Sequence, residues 1–316
     1  NSILNYAKKE ATPSKKLQQR KQRIVKMACD LVSNCIEKHP QVVGFELGGS
    51  YAKGTWVSEK PVDDVDIDIF VKFNKKTSEN DFRSIGTKIG FESLKKYKPY
   101  TRHAEHPFVE AIVDGTRVNI VPCYDVNKGE WQSATDRSIY HTKFMSQKLS
   151  DAMKGEVRIL KKFFLHIEVY GAEMAKEGFS GYVSEVLISY FGSFEKIIKK
   201  ISELKKGEVI GKSIKKFDSP IVIIDPVDNN RNLGTAISID NLGKFVLVSR
   251  AFLKNPSKKF FKKPVSNRIM KNADKIIVVQ FRFKDRSDDI IWGQIKRASN
   301  ALKTQLELGG FTVLRN

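Results

Sequence analysis

Two carboxylates separated by one residue, Asp66 and Asp68, are the side chains in this sequence best suited to chemistry. Apolar residues occupy every second position from Val65 to Phe73, which predicts a strand with both carboxylates on its other face. Carboxylate oxygens are ligands that Mg²⁺ prefers, and two such ions roughly 3.5–4 Å apart can stabilise the attacking and leaving oxygens of a phosphoryl transfer. Taken alone, the same spacing also fits a polar sheet face without a metal.

Features on either side of this strand make a nucleotide site a more specific interpretation. Upstream, a predicted strand at 41–47 stops at Gly48-Gly49-Ser50, where backbone N–H groups and a hydroxyl could hold a triphosphate. Downstream, Asp114-Gly115 is typical of a hairpin turn between two strands. The second of these strands, at 116–121, carries Asn119 on the face opposite to its apolar residues.

The charge of the chain favours a polyanionic partner. Lys and Arg number 56 against 36 Asp and Glu, a formal charge of +20, which supports binding to nucleic acid or to an anionic membrane surface. Three cysteines without a Cys-x-x-Cys pair argue against a disulfide framework and indicate a reducing compartment. The absence of an apolar stretch of about 18 residues excludes a transmembrane helix, and no secretory signal is present. We expect a cytoplasmic location and nucleic acid, not a membrane, as the partner.

The remaining pattern predicts an α+β chain. Thr12 and Pro13 are typical of an N-cap and a first helical residue, which predicts that a helix begins there. Residues 146–205 show helical periodicity, and residues 205–216 form a basic connector. The other predicted elements are a helix at 81–97, strands at 107–113 and 221–224, a helix at 240–253, and a final β-α-β unit at 275–283, 288–308 and 311–315.

Longer motifs carry a family resemblance. Gly49 to Trp56, followed by Val65 to Phe70, resembles the nucleotidyltransferase superfamily of DNA polymerase β. Over about residues 15–316, the chain resembles the archaeal, class I CCA-adding enzymes, which are tRNA nucleotidyltransferases. The further motifs that carry this resemblance are Val121-Pro122-Cys123-Tyr124, Asp136-Arg137 with His141, Glu156-Val157-Arg158, Tyr170-Gly171-Ala172-Glu173, Gly178-Phe179-Ser180-Gly181-Tyr182, Asp225-Pro226-Val227-Asp228 and Arg231-Asn232.

The resemblance implies a fold and an activity. The fold would be a polymerase-β-like nucleotidyltransferase head (1–145), a helical neck or central domain (146–260) and a partial βαβ, RRM-like body domain (261–316), with the family's tail domain absent. The activity would be template-independent addition of C, C and A to the 3′ end of immature tRNA, by Mg²⁺-dependent attack of the 3′-hydroxyl on the α-phosphate of CTP or ATP. The implied partners are tRNA, CTP and ATP; the oligomeric state stays open, with a homodimer as one alternative.

The resemblance also implies roles for individual residues. Asp66 and Asp68 would bind Mg²⁺, with Asn119 at the position of the third metal ligand. The residues expected to bind the nucleotide are Gly49, Ser50 and Lys53 at its triphosphate, His141, Lys161 and Tyr170 at its phosphates and sugar, and Arg231, which would help to select C or A.

One departure from the family affects the chemistry. The family usually has an acid where this chain has Asn119, and an amide oxygen can ligate Mg²⁺ without contributing charge. We therefore predict that nucleotide binding survives and that incorporation is impaired. Two alternatives stay open: a poly(A) polymerase or oligoadenylate synthase-like transferase, and a non-catalytic tRNA-binding relative. His103-x-x-His106 could be a metal pair, but it lacks suitably spaced partners and a loop is the simpler interpretation.

Overall fold

The computed structural model describes residues 2–58, 65–102, 107–205, 207–262, 280, 282, 284 and 286–313. These residues form an α+β fold, as predicted. The α-helices are α1 (Ser2–Ala11), α2 (Lys15–Ile36), α3 (Gly49–Lys53), α4 (Glu79–Ser93), α5 (Asp136–Lys148), α6 (Asp151–His166), α7 (Gly181–Phe191), α8 (Phe194–Ser202), α9 (Ile239–Lys254) and α10 (Asp288–Leu308). The β-strands are β1 (Val42–Gly48), β2 (Ile67–Asn74), β3 (Tyr100–Arg102), β4 (Phe108–Val113), β5 (Thr116–Asp125), β6 (Glu208–Ile210) and β7 (Ile221–Ile223).

The first five strands form one mixed sheet in the order β1-β2-β5-β4-β3, in which β2 and β5 run parallel and the other neighbours antiparallel. Asp114 and Gly115 join β4 to β5 with φ of +48° and +71°, the conformation that the predicted hairpin requires. Strand β5 is longer than predicted, because its pairing with β2 continues as far as Asn74 and Asp125. Strand β2 therefore lies inside the sheet, with hydrogen-bonded neighbours on both sides.

Helices α2 and α4 cover one face of this sheet. The alternate residues of β2 from Ile67 to Phe73 are buried against both helices. Phe82 of α4 stacks on Tyr124 of β5, with 4.2 Å between the ring centroids. Because the helices occupy the apolar face, Asp66 and Asp68 project from the opposite one, as the alternation predicted.

A second core lies among the helices α1, α6, α7, α8 and α9. Its centre is a cluster of buried phenylalanines, in which Phe163 of α6 contacts the rings of Phe194 and Phe245. Helix α1, which the sequence pattern did not predict, packs against α6. This packing fixes the helices that carry Lys161 on α6 and Glu185 on α7.

The prediction that α2 begins at Thr12-Pro13 is wrong. The N-cap of α2 is Ser14, whose hydroxyl accepts a hydrogen bond from the backbone N–H of Leu17 at 3.3 Å. The Thr12 hydroxyl instead donates to the carbonyl of Lys8 at 2.7 Å. Thr12 therefore belongs to the end of α1, where the last carbonyls of the helix lack intrahelical partners.

The connector predicted at 205–216 contains β6, which pairs in parallel with β7.

Towards the C-terminus, α10 confirms the predicted helix. The strand predicted at 275–283 lies almost wholly outside the described residues, and residues 311–313, the described part of the last predicted strand, form no strand. His103 and His106 also lie outside the described residues.

Candidate active site

Five residues form a continuous row across the sheet, because each is paired in register with the next. They are Gly48, Asp68, Asn119, Glu110 and Tyr100. Side chains at directly paired positions project from the same face, so the row lies on the face that α2 and α4 leave uncovered. The parallel pairing of β2 with β5 is what brings Asp68 and Asn119 together in the interior of the sheet.

The Asp68 carboxylate lies between Asn119 and the glycine turn after β1. Its Oδ1 accepts a hydrogen bond from Asn119 Nδ2 at 2.9 Å. On the other side, a Cβ added to Gly49 would lie 1.9 Å from Asp68 Oδ2, and Gly49 has a φ of +68°. Only glycine allows so close an approach at this backbone conformation. Burial raises the pKa of Asp68 and Asp66 adds to the effect, whereas Asn119 and Lys53 oppose it.

Asp66 is paired with an arginine from the neighbouring strand. Arg117 Nε donates to Asp66 Oδ1 at 2.6 Å, and both side chains are partly exposed. Arg117 precedes Asn119 by two residues on β5, so the two side chains share one face. The face of the sheet that carries Asp66 and Asp68 therefore also carries an arginine and a neutral amide, both on the neighbouring strand β5.

The donors on this face fit a divalent cation. Asp66 and Asp68 supply carboxylate oxygens, and Asn119 Oδ1 is buried without a hydrogen-bond partner among the described residues. An orphaned buried oxygen beside two carboxylates is suited to a hard cation, and Mg²⁺ is commonly held by one or two carboxylates together with substrate phosphates. These residues supply two negative charges rather than the three of the expected family pattern.

A buried carboxylate joins two of the predicted lysines. Lys53 Nζ lies 2.6 Å from Glu185 Oε2, and Lys161 Nζ lies 3.2 Å from Glu185 Oε1. Lys161 also donates to the carbonyl of Thr55 at 3.1 Å. Burial opposes ionisation of Glu185, but the two lysines outweigh it and lower the pKa of that carboxyl. Burial lowers the pKa of Lys161, while Glu185 opposes the shift.

Tyr170 lies next to this buried ion pair. A Cβ added to Gly181 would be 2.9 Å from the Tyr170 hydroxyl and 3.4 Å from Lys161 Nζ, so the hydroxyl and the ammonium group both approach the start of α7. The pKa of Tyr170 is raised by burial, with smaller contributions from the carboxylates of Glu185 and Asp66. Tyr170 thus lies where the acidic face of the sheet and the helices meet.

A second buried carboxylate, Asp225, gathers three further side chains. His141 Nε2 lies 2.9 Å from Asp225 Oδ2, Tyr182 donates its hydroxyl to Asp225 Oδ1 at 3.0 Å, and Arg231 Nη1 donates to Asp225 Oδ2 at 3.3 Å. The rings of His141 and Tyr182 are stacked, with centroids 3.9 Å apart. Burial disfavours the Asp225 anion, but His141 and its other partners outweigh this and lower its pKa. Burial lowers the pKa of His141 despite Asp225.

Comparison with known proteins assigns the chain to a family. Residues 28–143 match the family "Nucleotidyltransferase domain", and residues 155–262 match "tRNA nucleotidyltransferase, second domain". The CCA-adding enzyme of Pyrobaculum islandicum is 35% identical, over 99% of this chain and 74% of that protein. The CCA-adding enzyme of Methanocaldococcus jannaschii is 36% identical, over 99% of this chain and 73% of that protein. The chain belongs to the CCA-adding enzyme family.

Solved structures share the fold at low identity. The Cid1 poly(U) polymerase superposes with a TM-score of 0.64 and 11% identity, over 84% of this chain and 99% of that one. CdnC with ATP, from E. coli, superposes with a TM-score of 0.58 and 16% identity, over 82% of this chain and 93% of that one. The polymerase-β-like fold expected of a CCA-adding enzyme is therefore confirmed.

In this member of the CCA-adding enzyme family, the predicted site residues fall into three neighbouring groups. Lys53 connects two of them, because its Nζ pairs with Glu185 and lies 5.4 Å from the ring centroid of Tyr182. Ser50 is half-buried in α3, directly after the glycine that contacts Asp68. The groups are Asp66, Asp68, Asn119, Gly49 and Ser50 at the sheet, Lys53, Lys161 and Tyr170 around Glu185, and His141 and Arg231 around Asp225.

Sequence reasoning missed four residues of this CCA-family site. Tyr182 and Asp225 stand in motifs that carry the resemblance, but no role was attached to them. Arg117 could have been found from its two-residue spacing to Asn119. For Glu185 the signal was the composition of α7: Glu185 is its only charged residue, and a helix that is apolar on nearly all sides is buried, as residues 183–188 are.

Proposed function

We propose that this protein adds C, C and A to the 3′ end of immature tRNA, using CTP and ATP. The observation that carries the proposal is the Asp68 carboxylate packed against Gly49, with Asp66 on the same face, in a chain whose relatives are CCA-adding enzymes. Two carboxylates beside a small turn are suited to a nucleoside triphosphate with its cation. The formal charge of +20 supports a polyanionic substrate such as tRNA.

In the proposed reaction, the tRNA 3′-oxygen forms a bond to the α-phosphorus as the bond from the α-phosphorus to the leaving pyrophosphate breaks. The hydroxyl proton passes to solvent. Asp66 and Asp68 would hold Mg²⁺, which supplies charge neutralisation at the phosphates. Ser50 and the backbone of the glycine turn would hold the triphosphate. Lys53 would add a positive charge, and its contact with Glu185 fixes its position beside Asp68.

The buried pairs suggest how the nucleotide would be positioned. Lys161 is fully buried and contacts Glu185 and Thr55. We propose that it holds Lys53 and Tyr170 in place. Its ammonium group would reach a phosphate only after it leaves these two partners. Arg231 is 45% exposed and tethered at one end to Asp225, which leaves its other nitrogens available to a base. His141 would face the sugar and phosphates from the same cluster.

Asn119 and Arg117 bear on the rate. Asn119 lacks the charge of an acid, and Arg117 offsets the charge of Asp66, so the site presents less negative charge to a cation. Asp66 and Asp68 remain to hold the cation that accompanies the nucleotide, so nucleotide binding should survive. Incorporation should be slow because it depends on the additional charge. These two residues also favour a second candidate function, a non-catalytic tRNA-binding protein. That candidate predicts nucleotide and tRNA binding without turnover in either Mg²⁺ or Mn²⁺.

None of the described helices has the length and apolar composition needed to cross a membrane. We propose a cytoplasmic protein that uses Mg²⁺ and acts on the acceptor end of tRNA. Gel filtration would decide between a monomer and a homodimer.

The test is incorporation of labelled CTP and ATP into a tRNA that ends before CCA. We expect nucleotides added in the order C, C, A, and loss of incorporation in Asp68→Asn. Asp30→Asn is a matched control, because Asp30 is exposed on α2, on the other side of the sheet. A homopolymer or a 2′-linked product would overturn the proposal, and binding without incorporation would establish the non-catalytic alternative.

A further inference from the structure

Three residues with metal-binding side chains meet on the side of the sheet that the proposed reaction does not use. Cys35 lies in the last turn of α2, His39 follows that helix, and Glu92 lies near the end of α4. Both helices pack on the sheet face opposite to Asp66 and Asp68. The cluster is therefore separate from the proposed active site.

The possible ligand atoms of the cluster lie close together, and one pair has the separation expected in a tetrahedral site. Cys35 Sγ lies 3.4 Å from Glu92 Oε2. The possible ligand atoms of Cys35, His39 and Glu92 all lie within 4.8 Å of one another. Ligands held at about 2.0–2.3 Å from a tetrahedral Zn²⁺ are roughly 3.3–3.8 Å apart, so the Cys35–Glu92 separation already fits, and His39 would have to move by no more than about 1.5 Å.

His39 has a ring nitrogen without a partner in the described part of the chain. Its Nε2 atom is buried and makes no hydrogen bond with the described residues. The Cys35 thiol has two acceptors in reach, Glu92 Oε2 and the carbonyl of Ile89 at 3.8 Å, so internal hydrogen bonding accounts for the thiol. It does not account for Nε2 of His39, which has no partner among the described residues and which a metal ion bound through that nitrogen would satisfy.

The charges also balance for a divalent, thiophilic ion. A Cys thiolate and a Glu carboxylate together neutralise Zn²⁺, and a neutral imidazole completes a common set of zinc ligands. Glu92 is exposed and its Oε1 lies 3.9 Å from Lys88 Nζ, whereas Oε2, the oxygen beside Cys35, is the one that would bind the ion. Without metal, burial raises the pKa of Cys35 and Glu92 raises it further, although the Ser93 hydroxyl opposes them. Metal binding would release the thiol proton, and the two negative groups would then attract one ion instead of repelling each other.

We propose that Cys35, His39 and Glu92 bind one Zn²⁺ ion, with water as the fourth ligand. The ion joins the C-terminal ends of α2 and α4, which together cover the apolar face of the sheet. It stabilises the folded domain and takes no part in the reaction.

The test uses the reduced, metal-free protein titrated with Co²⁺. We expect one equivalent to give a thiolate-to-cobalt charge-transfer band that Zn²⁺ abolishes by displacement. Cys35→Ser should remove the band, whereas Cys29→Ser, on the same helix, should retain it. His39→Gln and Glu92→Gln should weaken Co²⁺ binding by roughly tenfold or more, since even outer-shell partners of a metal contribute on that scale.

A second readout keeps the test decisive if Cys35→Ser does not fold. Zn²⁺ should raise the thermal midpoint of the parent and of Cys29→Ser by more than that of Glu92→Gln, because any Zn²⁺ bound at Asp66 and Asp68 acts equally on all three proteins. A parent protein without the band, a band that survives in Cys35→Ser, or equal affinity in the His39 and Glu92 variants would overturn the site. Neither readout depends on nucleotide incorporation, so the result is independent of the proposed function.

Discussion

Arg117 Nε donates to Asp66 Oδ1 at 2.6 Å, so a carboxylate expected to bind a metal is already paired with a cation from the adjacent strand. Arg117 and Asn119 are two residues apart on β5 and project from the same face. Strand β5 thus carries an arginine that pairs with Asp66 and, at position 119, a neutral amide where the family usually has an acid. Because of these two residues, we expect the protein to bind nucleotide but to incorporate it slowly.

Replacing Asn119 with Asp should raise CMP incorporation by about tenfold, which corresponds to ~1.4 kcal/mol of the barrier. The new carboxylate would add charge beside Asp68 and favour a cation there. Without Mg²⁺, the same change replaces a 2.9 Å hydrogen bond with repulsion and should cost about 1–3 kcal/mol of stability. Incorporation and thermal unfolding with and without Mg²⁺ measure both effects.

Asn119→Ser is the control, because it loses the hydrogen bond without adding charge. An unchanged rate in Asn119→Asp would show that the missing charge at position 119 does not limit incorporation.

Replacing Arg117 with Gln should release Asp66 from this ion pair and strengthen binding of Mn²⁺ at the sheet by about 1.4-fold to fivefold. The estimate follows from the value of a partly exposed ion pair, about 0.2–1 kcal/mol. Arg117→Lys keeps the charge and should bind Mn²⁺ much as the parent does. Electron paramagnetic resonance of free Mn²⁺ gives the affinities, and identical values for all three proteins would show that Arg117 does not restrict the site.

Replacing Gly49 with Ala should displace Asp68 and abolish incorporation. The added methyl would lie 1.9 Å from Asp68 Oδ2, and the φ of +68° costs a non-glycine residue about 1–2 kcal/mol. Gly243→Ala is the matched control, because a Cβ there meets nothing within 4 Å and should leave activity unchanged. Incorporation by Gly49→Ala at the parental rate would mean that the turn and the carboxylate are not held together in solution.

Replacing Glu185 with Gln should destabilise the protein by about 3–5 kcal/mol, because it leaves Lys53 and Lys161 buried without a counter-charge. Urea denaturation measures the loss. Glu79→Gln removes an exposed pair with Arg83 and should cost no more than about 1 kcal/mol.

The pH dependence of stability gives an independent check on Glu185. Folding lowers its pKa, so its contribution should be complete above the ordinary value of 4.5 and lost as the pH falls through the folded pKa. Glu185→Gln should flatten that part of the acid unfolding curve. A parent and variant with parallel curves would show that the carboxylate does not ionise inside the protein.

The sequence determined the features that depend on neighbours along the chain. Alternation in β2 placed Asp66 and Asp68 on one face, and Asp114-Gly115 fixed the hairpin that carries Asn119. The start of α2 was misplaced because Thr12-Pro13 and Ser14 are competing local signals, and only the end of α1 decides which one acts as the cap.

Only the tertiary structure decided the partners of these groups. Strand register brings Arg117 to Asp66 across 51 residues of sequence, and helix packing places Glu185 between Lys53 and Lys161. Periodicity reports which face a side chain occupies, but not which residue of another element faces it. That pairing depends on how the sheet and the helices pack, and packing brings together residues that are far apart in the chain.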